Sequence, residues 1–279
     1  MTAPEDAEER TDAIAKPLTV EVRGSVDLRV SIRSYSSGHL LWTAQHEAEL
    51  AGQVEAGLAG KVPFSLEHRG YVLSSIIASV AFLEAMVNEL FQDAADGKAS
   101  RPDGYLSPLS ADCRRLMADL WRATREGKRL GTIEKFERLL SFAQAPPLDR
   151  GGQVYENAML TIRLRNTLVH FRPEDRSAED EAHEMERLIG KFADNALMAG
   201  SGNPWWPYKA LGYGAADWAH RSVKALADQV SDAVGIVPNY RRQEAAGWEQ
   251  APGVRTRLWG RASIRRRRAR RAARAPDAP

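Results

Sequence analysis

One run constrains this chain more than any other. From Val72 to Leu83 every residue is apolar or small, VLSSIIASVAFL. A bilayer span needs roughly 20 mostly apolar residues. Here Glu84, Asn88 and Glu89 follow the twelve at once, so no membrane span is expected. Within a helix over 66–95, Ile76, Val80, Leu83, Val87 and Leu90 recur at three- and four-residue spacings. That is the stripe of a helix at the centre of a core. Glu84 and Asn88 are four apart and share a face. Either they hydrogen-bond to a neighbouring helix or they line a polar site.

Helical periodicity continues around this run. Further helices are predicted over 39–58, 108–126, 132–144, 152–171, 178–199 and 214–235. Ser107-Pro108 supplies a cap and first turn for the third helix in chain order. Pro146-Pro147 ends the next one, and Pro173 stops the helix over 152–171, because a residue preceding proline avoids helical geometry. Ser177 followed by Asp180 suggests a cap for 178–199. Between 200 and 214 lies a loop rich in aromatics, NPWWPYKALGYG. It is expected to pack the last helix, although its rings could also stack bases. Only residues 18–33 alternate with period two: Leu18, Val20, Val22, Val26, Leu28, Val30 and Ile32 are apolar. That pattern is a half-buried strand, or a hairpin turning at Gly24. The expected organisation is therefore mainly α. It comprises a disordered acidic segment over 1–16, a strand or hairpin over 17–34, a helical bundle over 35–235 and an irregular Arg-rich tail over 236–279.

Charge is unevenly placed. Residues 261–279 hold eight arginines and one aspartate, +7, which leaves the other residues at −5 within a net +2. The run RRRRARR, with Arg265, Arg266, Arg267 and Arg268, could attract nucleic acid or an anionic surface, or stay a solvated terminus. A single cysteine, Cys113, excludes an internal disulfide framework and a multi-cysteine metal site, which fits a reducing, cytoplasmic setting. The opening MTAPEDAEERTDA has no apolar centre, so no secretory signal is expected. There is no phosphate loop, serine elbow or dinucleotide fingerprint. His39, His46 and His68 lack the carboxylates that would complete a metal set and are expected to be surface or packing residues. No cofactor is expected. Cys113 beside Arg114 and Arg115 is either a thiol of lowered pKa or, as expected, an incidental helix residue.

The unusual stretch is RLRNTLVHF, Arg163 to Phe171. At roughly 100° per residue, Leu160, Leu164, Leu168 and Phe171 form a core stripe. Arg163, Asn166 and His170 gather on another side, where Glu84 and Asn88 could face them. Arg165 lies about 140° from His170 unless His170 sits beyond the regular helix. Arg163 and Arg165 could also simply pair with Glu84, Glu89 or Glu156, and His170 could cap its own helix.

Arg165-Asn166-x-x-x-His170 at a helix end resembles the HEPN superfamily, whose ribonuclease members carry Arg, four to six residues, then His. The segment ASVAFLEAMVNELF resembles an early helix of such proteins, and the likeness covers roughly residues 35–200. It implies an up-and-down bundle of HEPN type. It also implies metal-independent RNA cleavage, in which a 2′-hydroxyl attacks the adjacent phosphate and leaves a cyclic phosphate. In that reading His170 is base or acid. Arg165 faces the phosphorane charge, with Arg163 as a rival. Asn166 orients, and Glu84 joins the site. The resemblance further implies a homodimer whose two motifs face one cleft, and a toxin or anti-phage defence role with an antitoxin or regulatory partner. The alternative is a non-catalytic helical interaction or nucleic-acid-binding module.

Overall fold

A computed structural model describes residues 34–97, 104–125, 130–171 and 184–248. The expected acidic segment, the strand or hairpin over 17–34 except its last residue, and the arginines at 265–268 lie outside the described residues. Those described residues are mainly helical: α1 (Ser37–Leu58), α2 (Leu66–Ala95), α3 (Ala111–Arg125), α4 (Thr132–Phe142), α5 (Gln153–Val169), α6 (Tyr213–Ala233) and α7 (Asn239–Ala245).

The apolar run is the central helix α2. Ser65 caps it by accepting the His68 N–H at 3.3 Å. By length and composition α2 could cross a membrane, but 56% of its most apolar stretch is buried among the other helices. Its upper half packs Val72 and Ile76 with Ala48, Ala51, Leu164, Trp206 and Ala219. Its lower half packs Phe82, Met86 and Phe91 with Met117, Phe136, Leu139, Val230 and Tyr240. Each large side chain buried this way contributes about 1.5–3 kcal/mol.

Small residues set the helix spacing. Ala44, Ala48 and Ala51 of α1 and Ala215, Ala216 and Ala219 of α6 are buried against α2. Ser75 on α2 donates to the carbonyls of Ala44 at 2.7 Å and Ala216 at 3.4 Å, so one hydroxyl ties three helices. Gly214 opens α6 where an added Cβ would sit 2.3 Å from the Ala193 carbonyl oxygen, so only glycine fits that approach.

Several elements differ from expectation. The third helix begins at Ala111, not at 108. Ser110, rather than Ser107, caps it, its hydroxyl accepting the Cys113 N–H at 3.1 Å. The helix expected over 178–199 is not formed from Glu184 onward. Two short 3₁₀ turns, Glu184–Leu188 and Ala196–Met198, stand there instead. Gly190 takes φ +78 between them, and the Asn195 side chain accepts the Leu197 N–H at 3.0 Å. These local alternatives outcompete a continuous helix. Beyond 236 the chain is not irregular throughout. Pro238 starts α7, whose Tyr240 is fully buried edge-on to Phe82 at 5.0 Å.

The aromatic loop packs as expected. Trp206 is buried, and Phe192 contacts Trp205 and Trp218 at centroid distances of 6.2 and 5.4 Å.

Candidate active site

α5 carries the motif, and its seating decides where each polar residue goes. Ala158, Thr161 and Leu164 are buried at three-residue spacings and fix which side faces the bundle. Arg163 and Arg165 flank Leu164, about 100° to either side of it. They therefore face different surfaces. Arg165 turns toward α2 and α4. Arg163 turns toward Glu184, with N–O separation 3.9 Å in an exposed pair. Arg163, Asn166 and His170 fall on the exposed side of α5 at three- and four-residue spacings, and Asn166 also borders the cleft that holds Arg165. Phe171, expected in the core stripe, is exposed because the helix has ended before it.

Arg165 meets Glu84 of α2 in a part-buried ion pair. The two line an open cleft of about 470 Å³ with Asn88, Lys135 and Asn166. Lys135 of α4 donates to Asn88 Oδ1 at 2.8 Å and stands 5.5 Å over the Trp121 ring. Burial pushes the Lys135 ammonium below its usual range, while the Glu84 charge acts the other way. Glu134, also at the rim, is engaged in closing α4, where its carboxylate accepts the Gly131 N–H at 2.7 Å. Chemically, a guanidinium, an ammonium and two amides converge on an open space beside the Glu84 and Glu134 carboxylates. These are donors suited to an anionic oxygen group.

The sequence has Glu84 and Asn88 facing Arg163, Asn166 and His170, with a pairing of Arg165 and Glu84 as the alternative; the structure brings Glu84, Asn88, Arg165 and Asn166 into this cleft and leaves Arg163 and His170 out of it. Lys135 was missed. It carries no motif, and only the packing of α4 against Trp121 and α2 brings it in.

His170 sits at the C-cap of α5 with φ −107 and ψ 31, already outside helical geometry. Its backbone N–H bonds the Asn166 carbonyl at 2.9 Å. The imidazole is exposed and does not line the cleft. Val169 and Phe171, on either side, are 51% and 55% exposed.

No family model matches the chain, and no curated protein or solved structure shows significant similarity to it.

The other candidates resolve differently. His68 is buried, with Nε2 2.7 Å from Glu55 Oε2. The same carboxylate accepts the N–H groups of Ala196 at 2.9 Å and Tyr213 at 2.7 Å. Burial raises the Glu55 pKa, but these bonds outweigh it and hold the carboxyl below its usual range. This pair is a packing device that ties α1 and α2 to the start of α6. His46 stacks on Trp42 with centroids 4.6 Å apart. Cys113 is buried, and burial raises its thiol pKa against the opposing Arg114 charge. The reading of a lowered, reactive thiol is therefore overturned.

Proposed function

We propose that the chain is a metal-independent endoribonuclease of HEPN type, acting as a homodimer. The observation that carries this reading is the arrangement of α5. Arg165 and Asn166 stand side by side in an open, donor-rich cleft. His170 lies one turn further on, exposed, where the helix ends. A structural histidine at that place would be expected to bury or bond its ring.

The chemistry follows from these groups. Arg165 and Lys135 offer N–H donors to the non-bridging phosphate oxygens, whose charge grows in the phosphorane. Asn166 and Asn88 orient the phosphate through their amides. His170 moves the proton. As base it takes the proton of the attacking 2′-hydroxyl, and as acid it gives one to the departing 5′-oxygen. Glu84 holds Arg165 extended into the cleft. Because His170 stands outside the cleft of its own protomer, a partner copy would supply the second proton-transfer group. Val169 and Phe171 are the apolar surface that such a copy would cover. A toxin or defence role with a neutralising partner, in the cytoplasm, belongs to the same proposal.

A second reading has its own observation. The Glu84 carboxylate already satisfies Arg165, as it would in a bundle that only binds. RNA cleavage in EDTA separates the two. Wild type is expected to cut and leave 2′,3′-cyclic phosphate ends, and His170→Ala is expected to be inactive. If neither cuts, or both cut equally, the site is not catalytic.

A further inference from the structure

On the other flank of α5 lies a second cleft of about 360 Å³, lined by Arg150, Tyr155, Glu156, Arg163, Arg187 and Lys191, among others. Four of these side chains are cationic and one is a carboxylate. Arg150 is held by Glu137 at 2.7 Å, and Arg163 is only loosely paired to Glu184. Among the described residues no carboxylate pairs with Arg187 or Lys191. Arg187 and Lys191, unpaired beside Arg150 and Arg163, leave the concavity with a surplus of positive charge. Such a cluster invites an anion to neutralise it.

Its position adds the second argument. Met159 lines both this cleft and the one holding Arg165. The two sites are thus separated by the body of a single helix, about 10–12 Å across with its side chains. A single polynucleotide strand lying over Met159 would place one phosphate at Arg165 and another, further along the strand, at Arg187 and Lys191. Arg163 and Arg165, two residues apart, would then serve successive parts of one strand.

We propose that Arg163, Arg187 and Lys191, with the Tyr155 hydroxyl, form a phosphate-binding subsite for single-stranded RNA that extends the Arg165 cleft across α5. This rests on the ribonuclease reading for its substrate, but it is testable without cleavage. The subsite is electrostatic and independent of sequence, as backbone contacts are.

The experiment is titration of the full chain with a labelled single-stranded RNA about a dozen nucleotides long, carrying 2′-O-methyl groups so that it cannot be cut. Wild type is compared with Arg187→Gln/Lys191→Gln. Arg115→Gln/Arg122→Gln on α3 serves as a control with the same change of net charge. Thermal melts verify that all three are folded. The subsite variant is expected to bind roughly tenfold more weakly, and its log–log salt slope to fall by about 1.4, or 0.7 for each lost phosphate contact. The α3 control is expected to change little. Equal effects from both variants, or an unchanged slope in the subsite variant, would overturn the proposal. So would a loss confined to inorganic phosphate with RNA affinity intact. If ordinary RNA is bound in this subsite-dependent way but never cut, the ribonuclease reading fails and the subsite stands. If RNA is cut while binding ignores Arg187 and Lys191, the subsite fails alone.

Discussion

The guanidinium of Arg165 on α5 lies against the carboxylate of Glu84 on α2, at the mouth of a cleft it shares with Lys135. The pair is only part-buried, with side-chain exposures of 21% and 46%. Its worth to stability is about 1 kcal/mol or less. Arg165→Ala is therefore expected to lower stability by about that amount in urea denaturation. Cleavage is expected to fall at least 100-fold, the scale of a lost oxyanion donor. A large stability loss with cleavage retained would make the pair structural.

Glu84→Gln gives the complementary sign. Removing a negative charge from the cleft should tighten RNA binding several-fold, while the freed Arg165 loses its position and turnover drops. Titration with labelled RNA reads the first effect, and single-turnover rates read the second. Weaker RNA binding by Glu84→Gln would show that the cleft does not take phosphate.

How far all this was legible in the sequence depends on the range of the forces involved. The core position of α2 was readable because a long apolar stripe runs through it, and the structure adds the Ser65 cap. The end of α5 was readable because Pro173 forbids its continuation. The pairing of Glu84 with Arg165 was foreseen as one alternative, since both residues fall near polar positions of apolar helices. That Arg165 rather than Arg163 lines the cleft with Glu84 and Asn88 was not foreseen. A wheel shows angles but not which angle the bundle buries, and the burial of Leu164 settles that. Lys135 and α7 were invisible for the same reason: their partners, Asn88 and Asp228, are 47 and 12 residues away. The failed helix over 178–199 shows local chemistry winning, with Gly190 and Asn195 turning the chain where periodicity alone ran on.

Glu55 supplies a pH prediction. Its carboxyl titrates below the ordinary range in the folded protein. Its stabilising effect is therefore complete above the unfolded value, roughly 4.3, and is lost as pH falls through the lower folded value. Glu55→Gln should cost about 2 kcal/mol near neutrality, because the bonds to His68, Ala196 and Tyr213 lose their charge. The gap in melting temperature between wild type and Glu55→Gln should narrow below about pH 4. A gap that stays constant to pH 3 would assign the effect to packing alone.

Tyr240 clamps α7 to α6. Its hydroxyl donates to Asp228 Oδ1 at 2.6 Å, and Arg241 Nε meets the same oxygen at 2.7 Å. Tyr240→Phe removes one bond and leaves Asp228 partnered by Arg241 and Lys224, so a loss of about 1 kcal/mol is expected. Tyr240→Ala opens a cavity beside Phe82 and should cost about 3–5 kcal/mol. Similar losses for both variants in chemical denaturation would mean that the ring contributes little.

His170 gives the decisive contrast between protomers. Its ring is exposed, so His170→Ala should change stability by less than about 0.5 kcal/mol. Within one protomer Arg165 lines the cleft and His170 does not. If the working site takes Arg165 from one copy and His170 from the other, neither Arg165→Ala nor His170→Ala should cut alone. A mixture, unfolded and refolded together, should recover activity, because a mixed dimer contains one site with both groups intact. Recovery should rise with the mixed fraction and vanish when either variant is in large excess. Two inactive variants that stay inactive after mixing would place both groups in the same protomer. In that case the α5 C-terminus must rearrange on binding RNA to bring His170 to the phosphate.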